Sequence, residues 1–323
     1  MSEYSFGFKP LDDQSEIIAH VANGKNKGKN IFLNKETPED IKHNKMDIFY
    51  EWLGGKSKTH RLNQKSVDIL VKAVVNDEPP SDFKLKSLYN EFQKEGTDNH
   101  EIMLKDSELD VVPYQGDGEN VQRDVIFIGA CSGAGKTTWV SRYCLLFNKL
   151  FPKSKIWLFS CKPLEDEHQF KKVKNMKQIP LDDETLEEVI QSGNYQYLAD
   201  EKHGQSLVIF DDFDAIPKKT EKLLDTILNS CLQVGRSKRI YCIVSKHSLN
   251  AGNKTKIVWS ESNKIVLFPN GLSRYSIIYA CQHYLGLDKK IIEKILAHKS
   301  RWICIHNHLP KYAVTQNSLF FLN

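Results

Sequence analysis

An α/β fold with a mainly parallel sheet flanked by helices is what this 323-residue chain predicts, and three observations predict it. From residue 124 onward, apolar strand-like runs alternate with amphipathic helical stripes, the pattern of a parallel sheet covered on both faces. One of those strands, 124–128, runs straight into the glycine-spaced turn A-C-S-G-A-G-K-T-T at 130–138, and a helical pattern resumes at Trp139. A second buried run, S-L-V-I-F at 206–210, ends in two consecutive carboxylates, Asp211 and Asp212.

Residues 1–115 have a different texture, polar and lysine-rich, with a Pro79-Pro80 break. Val67, Ile69, Leu70, Ala73 and Val74 recur at helical spacing, as do Leu85, Leu88 and Phe92, so this region reads as a partly helical N-terminal appendage. The remainder, 116–323, reads as one α/β domain. Its strands are expected at 124–128, 155–159, 206–210 and 239–244, and its helices at 139–150, 182–191 and 220–234. Asp182 and Asp183 stand ahead of Leu186, Val189 and Ile190, a helix-start signal, and Leu223, Leu224, Ile227, Leu228 and Cys231 form one core-facing stripe. Beyond residue 250, strands are expected at 256–259 and 264–268. A helix carrying Ile291, Ile292, Ile295 and Leu296 is capped by Asp288, and 301–305 with 312–315 forms a hairpin about Pro310.

The charge balance is nearly even, 45 basic against 41 acidic side chains for a net +4, so any contact with nucleic acid must come from local patches. The best of these are 54–61 and 235–239; the lysine run at 23–30 reads either as a solvated loop or as a phosphate contact. Seven cysteines show no C-x-x-C pairing or metal-ligand spacing, which favours a reducing, intracellular setting. No apolar run is long enough for a transmembrane segment, and the N-terminus lacks a secretion signal pattern.

Strand, glycine loop and helix in that order make a phosphate-binding loop. Glycines at 133 and 135 let the backbone of Ser132, Gly133, Ala134 and Gly135 approach phosphate oxygens, and the helix N-terminus adds its positive end. Lys136 reaches the β- and γ-phosphates, the Thr137 hydroxyl ligates Mg²⁺, and Thr138 completes the nucleotide-binding set. The first glycine of the usual pattern is replaced by Ala130, with Gly129 one residue early. Carboxylates at the C-terminal edge of a parallel strand lie where open α/β sheets bind ligands. Asp211 is therefore assigned to the Mg²⁺ shell and Asp212 to orienting or deprotonating the attacking water, with Asp214 as a spare that also reads as a turn residue before Pro217. The fold is thus a P-loop NTPase, with ATP and Mg²⁺ as the expected cofactors.

The flanking residues narrow the class. The only near match to a guanine reader, Asn263-Lys264-Ile265-Val266, lacks the required aspartate; no Ser-Gly-Gly-Gln signature of transporters occurs; and arginines are too sparse for a nucleotide-kinase lid. Gly235-Arg236-Ser237 instead stands directly before a strand that ends in Ser245-Lys246-His247. With A-C-S-G-A-G-K-T-T at 130–138, I-W-L-F-S at 156–160, L-V-I-F-D-D at 207–212 and a tail containing I-V-L-F-P and H-Y-L-G-L, the chain resembles the FtsK–HerA superfamily over residues 120–315. Within it, the likeness is to the genome-packaging ATPases of nucleocytoplasmic large DNA viruses and virophages.

That resemblance implies a Mg²⁺-dependent ATPase that translocates double-stranded DNA without regard to sequence, as a homo-oligomeric ring filling a viral capsid. Lys136, Thr137 and Asp211 match the family's nucleotide and metal residues. Asp212 stands where many members have glutamate, one methylene longer. Arg236 matches the arginine delivered into the neighbouring subunit's site, although a solvated turn arginine is the plainer reading of the residue alone. The γ-phosphate sensor is often glutamine; here Ser245 and His247 occupy its neighbourhood. Residues 1–115 would dock capsid or membrane-associated virion proteins, and the setting would be the host cytoplasm, a virus factory or the virion. Two alternatives stay open, a nucleoside or nucleotide kinase and an ATP-gated assembly scaffold without efficient hydrolysis.

Overall fold

The computed structural model describes residues 4–37, 46, 49–50, 52–54, 62–76, 78–95, 101–115, 122–193, 195–213, 216–250 and 252–322. Asp214, residues 55–61 and residues 116–121, all singled out in the sequence, fall outside the described set. In chain order come strands β1 (Tyr4–Gly7), β2 (Glu16–Val21) and β3 (Asn30–Lys35), helices α1 (Gln64–Asn76) and α2 (Phe83–Glu95), then β4 (Glu101–Met103), β5 (Leu109–Val111) and β6 (Val125–Gly129). Helix α3 (Lys136–Leu150) leads to β7 (Ile156–Phe159) and β8 (Met176–Ile179), α4 (Asp183–Gln191) and α5 (Tyr195–Leu198) to β9 (Ser206–Phe210), and α6 (Lys218–Val234) to β10 (Ile240–Lys246). The chain continues through α7 (Asn253–Glu261), β11 (Lys264–Leu267), α8 (Arg274–His283), α9 (Lys289–Ala297), β12 (Ile303–His306), β13 (Tyr312–Thr315) and β14 (Ser318–Phe321).

The chain divides into two compact units, residues 1–16 with 31–103, and residues 17–30 with 104–323. In the smaller unit β1 pairs antiparallel with β3, setting Tyr4 opposite Lys35 and Gly7 opposite Phe32. Asn63 and Asp82 accept backbone N–H bonds at the starts of α1 and α2, as caps do. The two helices bury Leu70, Val74, Leu88 and Phe92 with Phe49 and Leu53, so the helical spacing read in this region is correct, although strands accompany it.

The larger unit contains the expected α/β layers. Its sheet runs β14-β13-β12-β11-β6-β10-β9-β7-β8. Strands β11, β6, β10, β9, β7 and β8 are mutually parallel, and β12, β13 and β14 extend the sheet antiparallel. Every residue of β6, β7, β9 and β10 is buried, as a sheet covered on both faces requires. Among the described residues no helix is long and apolar enough to cross a membrane. Cys144, Cys231, Cys242, Cys281 and Cys304 are buried and Cys131 and Cys161 exposed; burial pushes the Cys242, Cys281 and Cys304 thiols up to about 12.

Two expectations are corrected. Residues 256–259 lie in helix α7 rather than in a strand. The Ile-Val-Trp run carries strand propensity, but tertiary packing overrides it. Val258 and Trp259 are buried, the Trp259 indole donates to Leu249 O, and its ring stacks on Tyr284 at 4.7 Å. The division between units falls at residue 103 rather than 115, and 17–30 goes with the larger unit. Arg142 of α3 holds Glu108 and Asp110, and Leu109 N donates to Gln316 O at 2.7 Å, so β5 is bound into the larger unit. The lysine run at 23–30 is an exposed turn closing on β2 through Val21 N to Lys29 O, 2.9 Å.

A buried polar cluster sits at the amino-terminal end of β6. Asp124 accepts from Lys264 Nζ at 2.7 and 2.8 Å, from the Tyr143 hydroxyl at 2.6 Å and from Tyr114 N at 3.0 Å. Lys264 also donates to Val112 O at 3.2 Å, so neither charge is left without partners. Lys264→Met should strand the Asp124 carboxylate in the core and destabilise the fold by about 3–5 kcal/mol, read as a lowered urea midpoint; an unchanged midpoint would show that the pair contributes nothing.

Candidate nucleotide-binding and catalytic site

Register builds the site. β10 pairs with β6 so that Lys246 stands opposite Gly129, and β9 pairs with β10 and β7 so that Phe210 lies beside Val244 and Phe159. Each strand therefore releases its next residues at the same carboxyl edge of the sheet: Ala130 after β6, His247 after β10, Asp211 and Asp212 after β9, Ser160 to Lys162 after β7. β10 lies between the loop strand and the acidic strand, which places His247 between Lys136 and Asp212.

The loop is held from both sides. Ala130 N donates to Lys246 O at 3.2 Å, and Cys131 N to Gly271 O at 2.9 Å. Gly135 is the residue before α3 and lies at φ 113°, a backbone that only glycine adopts without strain. It offers no side-chain cap to the first N–H groups of α3, an arrangement that suits an anion. Ser132, Gly133 and Thr138 are exposed, and Ala134, Gly135 and Thr137 half-buried. An arginine not foreseen in the sequence braces the outside of this turn. Arg301 Nε donates to Ala134 O at 3.0 Å, and its terminal nitrogen lies 2.9 Å from where a Gly135 Cβ would stand.

Lys136 is buried and folded back. Its Nζ donates to Ala130 O at 2.8 Å and Cys131 O at 3.3 Å, and approaches His247 Nδ1 at 3.3 Å. Burial pushes its ammonium pKa down, against the attraction of Asp211 and Asp212. His247 Nε2 lies 3.1 Å from Asp212 Oδ1, and Lys162 Nζ pairs with Asp212 Oδ2. Asp212 itself has φ 47°, the left-handed region that aspartate tolerates better than most residues. Burial alone would push its carboxyl up, but the hydrogen bond and charge of Lys162, then Lys136 and His247, hold it below the usual carboxylate range. Lys162 is raised in turn by its bond to Asp212 and also reaches Glu167 at 3.8 Å.

Asp211 differs from its neighbour. It is 4% exposed, its N–H donates to Phe159 O at 2.9 Å, and its Oδ1 is buried without a hydrogen-bond partner. Ser245 Oγ stands close enough to favour the ionised carboxylate yet outside hydrogen-bond geometry, and it too is buried and unpartnered; burial is the larger effect and pushes the Asp211 carboxyl up. A buried, unsatisfied carboxylate oxygen at a phosphate site fits a cation or its water shell. The described residues contain no group of three or more His, Cys, Asp or Glu that could hold a metal, so the protein's share of a Mg²⁺ shell would be the Thr137 hydroxyl and Asp211, with phosphate and water supplying the rest.

The structure thus brings Lys136, Thr137, Asp211, Asp212, Ser245 and His247 to one edge and leaves Arg236 out. Arg236 is exposed in the 3₁₀ turn Gly235–Lys238 before β10, at the opposite end of that strand, a separation of about 20 Å at the usual rise per residue. There it lines a depression of about 500 Å³ with Arg123, Gln233, Glu261 and His308. Lys162 had a signal in the sequence, since it follows a parallel strand at the ligand-binding edge. Arg301 had none, because its partner is 167 residues away.

No family model matches the sequence. The uncharacterised protein V3 of Sputnik virophage is 33% identical over 239 residues, 73% of this chain and 89% of that protein. The chain belongs to the same family as that virophage protein. Among solved structures, this family member is similar to the genome packaging NTPase B204 of Sulfolobus turreted icosahedral virus 2 in complex with ATP-gammaS (TM-score 0.41, 13% identity, 58% of this chain and 94% of that one). It is also similar to the cytoplasmic domain of the Thermomonospora curvata type VII secretion ATPase EccC (TM-score 0.43, 13% identity, 68% of this chain and 28% of that one).

Gly135→Ala tests the loop. The left-handed backbone and the Arg301 contact together should cost about 1–3 kcal/mol, so fluorescent-nucleotide affinity should fall about tenfold or more while the fold survives by circular dichroism. Unchanged affinity would show that the turn is not part of the nucleotide cradle.

Proposed function

We propose that this protein is a Mg²⁺-dependent ATPase that moves double-stranded DNA during viral genome packaging, acting as a homo-oligomeric ring. One observation carries the reading: an uncapped glycine turn at a helix start, a buried lysine and a buried carboxylate with an unpaired oxygen converge at the carboxyl edge of the sheet. The kinship with the virophage protein and the order of the motifs at 130–138, 156–160 and 207–212 support the same reading.

In this reading the loop backbone from Ser132 to Gly135 and the first turn of α3, including Thr138, hold the phosphates, and Lys136 leaves its carbonyl partners for the terminal phosphate oxygens. Thr137 and Asp211 would hold Mg²⁺, which would supply charge neutralisation at the phosphates when bound. Asp212 orients the attacking water, and His247, already between Lys136 and Asp212, reports the terminal phosphate, with Ser245 supporting Asp211 from beneath. Arg236 stands too far from Lys136 of its own subunit to serve there. It serves a neighbour's site, where an arginine can contribute about 10³ to 10⁵ in rate. DNA would be held through phosphate contacts by 54–61 and 235–239, residues 1–115 would dock capsid or membrane-associated virion proteins, and the work would take place in the host cytoplasm, a virus factory or the virion.

A second reading draws on one observation, that Lys162 and His247 already occupy both oxygens of Asp212. An ATP-gated scaffold with negligible hydrolysis would show the same engagement, and turnover separates the two.

Steady-state ATP hydrolysis should rise per subunit with protein concentration, increase with long duplex DNA and vanish in Lys136→Ala. Turnover independent of concentration and DNA would overturn the ring motor. Arg236→Ala should retain nucleotide binding and lose about 10³-fold or more in turnover; wild-type turnover in that variant would remove the trans arginine from the mechanism.

A further inference from the structure

One cation at the site outside the motif residues is Lys162, which ends on Asp212. Its backbone is clamped while its side chain is half-exposed. Lys162 N donates to Ser160 Oγ at 3.1 Å, and Gln178 Nε2 donates to Ser160 O at 2.9 Å and Lys162 O at 2.8 Å. Gln178 Oε1 accepts from Leu164 N at 2.7 Å, so one glutamine side chain on β8 spans the whole tip of β7. Cys161 N donates to Asp212 O at 3.4 Å, which ties that tip to the turn after β9. The Lys162 side chain is nevertheless 52% exposed and ends on Asp212 Oδ2.

The consequence is a continuous line of polar groups. Lys136 Nζ meets His247 Nδ1 at 3.3 Å, His247 Nε2 meets Asp212 Oδ1 at 3.1 Å, and Asp212 Oδ2 meets Lys162. Two ammonium groups therefore face each other across one imidazole and one carboxylate, and the carboxylate is the only anion between them in that line. Both oxygens of Asp212 are thus engaged, Oδ1 by His247 and Oδ2 by Lys162. A terminal phosphate beside Lys136 would bring a second, more highly charged anion into the same space, and a flexible half-exposed ammonium follows the larger charge.

We propose that Lys162 is a γ-phosphate sensor of this site that acts alongside His247: without a triphosphate it holds Asp212, and with one it transfers to the terminal phosphate and releases Asp212 Oδ2 to hold the attacking water. The proposal rests on the nucleotide-site reading above. It assigns to the tip of β7 a share of the role that the family's usual glutamine plays at the tip of β10, where this chain has Ser245 and His247. No bond is made or broken in the transfer; one ion pair replaces another.

A sensor distinguishes a triphosphate from a diphosphate, and a residue with a merely structural role does not. Titration of purified protein with ATPγS and with ADP, both in Mg²⁺, gives the ratio of the two affinities. Wild type should prefer ATPγS, Lys162→Met should lose about tenfold or more of that preference through weaker ATPγS binding with ADP binding kept, and Lys162→Arg should restore part of it. Equal losses for both nucleotides, or an unchanged ratio, would overturn the sensor. Absence of any nucleotide binding in the wild type would instead remove the nucleotide-site reading beneath it, and Lys136→Ala, expected to lose both ligands, keeps the two failures apart.

Discussion

The constraint on which the site depends is the parallel alignment of β6, β10, β9 and β7. Because these strands run the same way and end at one edge, residues far apart in sequence are released side by side: Ala130, Lys162, Asp211 and His247. Parallel pairing needs a covered crossover between every two strands, and the amphipathic helices α3, α4 and α6 supply the cover. The hydrophobic core is thus the condition for the polar edge. Leu224, Ile227 and Cys231 of α6 are buried in the same cluster as Phe127, Phe159 and Phe210 of the strands.

The electrostatics follow from partial dehydration at that edge. Lys136, Asp211 and Asp212 are each taken from water to some degree, and each answers differently. Lys136 leans on carbonyl oxygens, Asp212 collects two donors, and Asp211 keeps a bare oxygen. The last is the costly arrangement, since an unsatisfied buried acceptor destabilises the fold. Beside it the Ser245 hydroxyl is buried and unpartnered as well, so two polar groups at this spot await a partner that the chain does not itself provide.

The legible parts of the chain were those where one local pattern decides the outcome. The strand runs of β6, β7 and β9, the stripe of α6 and the Asp182 cap of α4 each carry a signal within a dozen residues, and each element is present. The carboxylates and the loop lysine were legible because a parallel strand's end is where ligands collect. Illegible parts depend on distant partners. The Ile-Val-Trp run of α7 reads as strand until Leu249 and Tyr284 are in place beside Trp259. β8 is a short, partly exposed edge strand, M-K-Q-I, with no apolar run to announce it. Arg301 and the Gln178 clamp are single side chains whose meaning is entirely tertiary.

Arg123 adds a mechanical property. Placed two residues before β6, it is buried and donates to Leu232 O at 2.6 Å and to Ile240 O, so it grips both sides of the turn that carries Arg236. Five wholly buried residues later the same strand becomes the glycine loop. The segment behaves as a tie rod: parallel ladders on both sides prevent it from bending, and no glycine or proline interrupts it before Gly129. The arginine turn at one end of the sheet and the glycine loop at the other are therefore joined by a single short span of buried, doubly paired backbone.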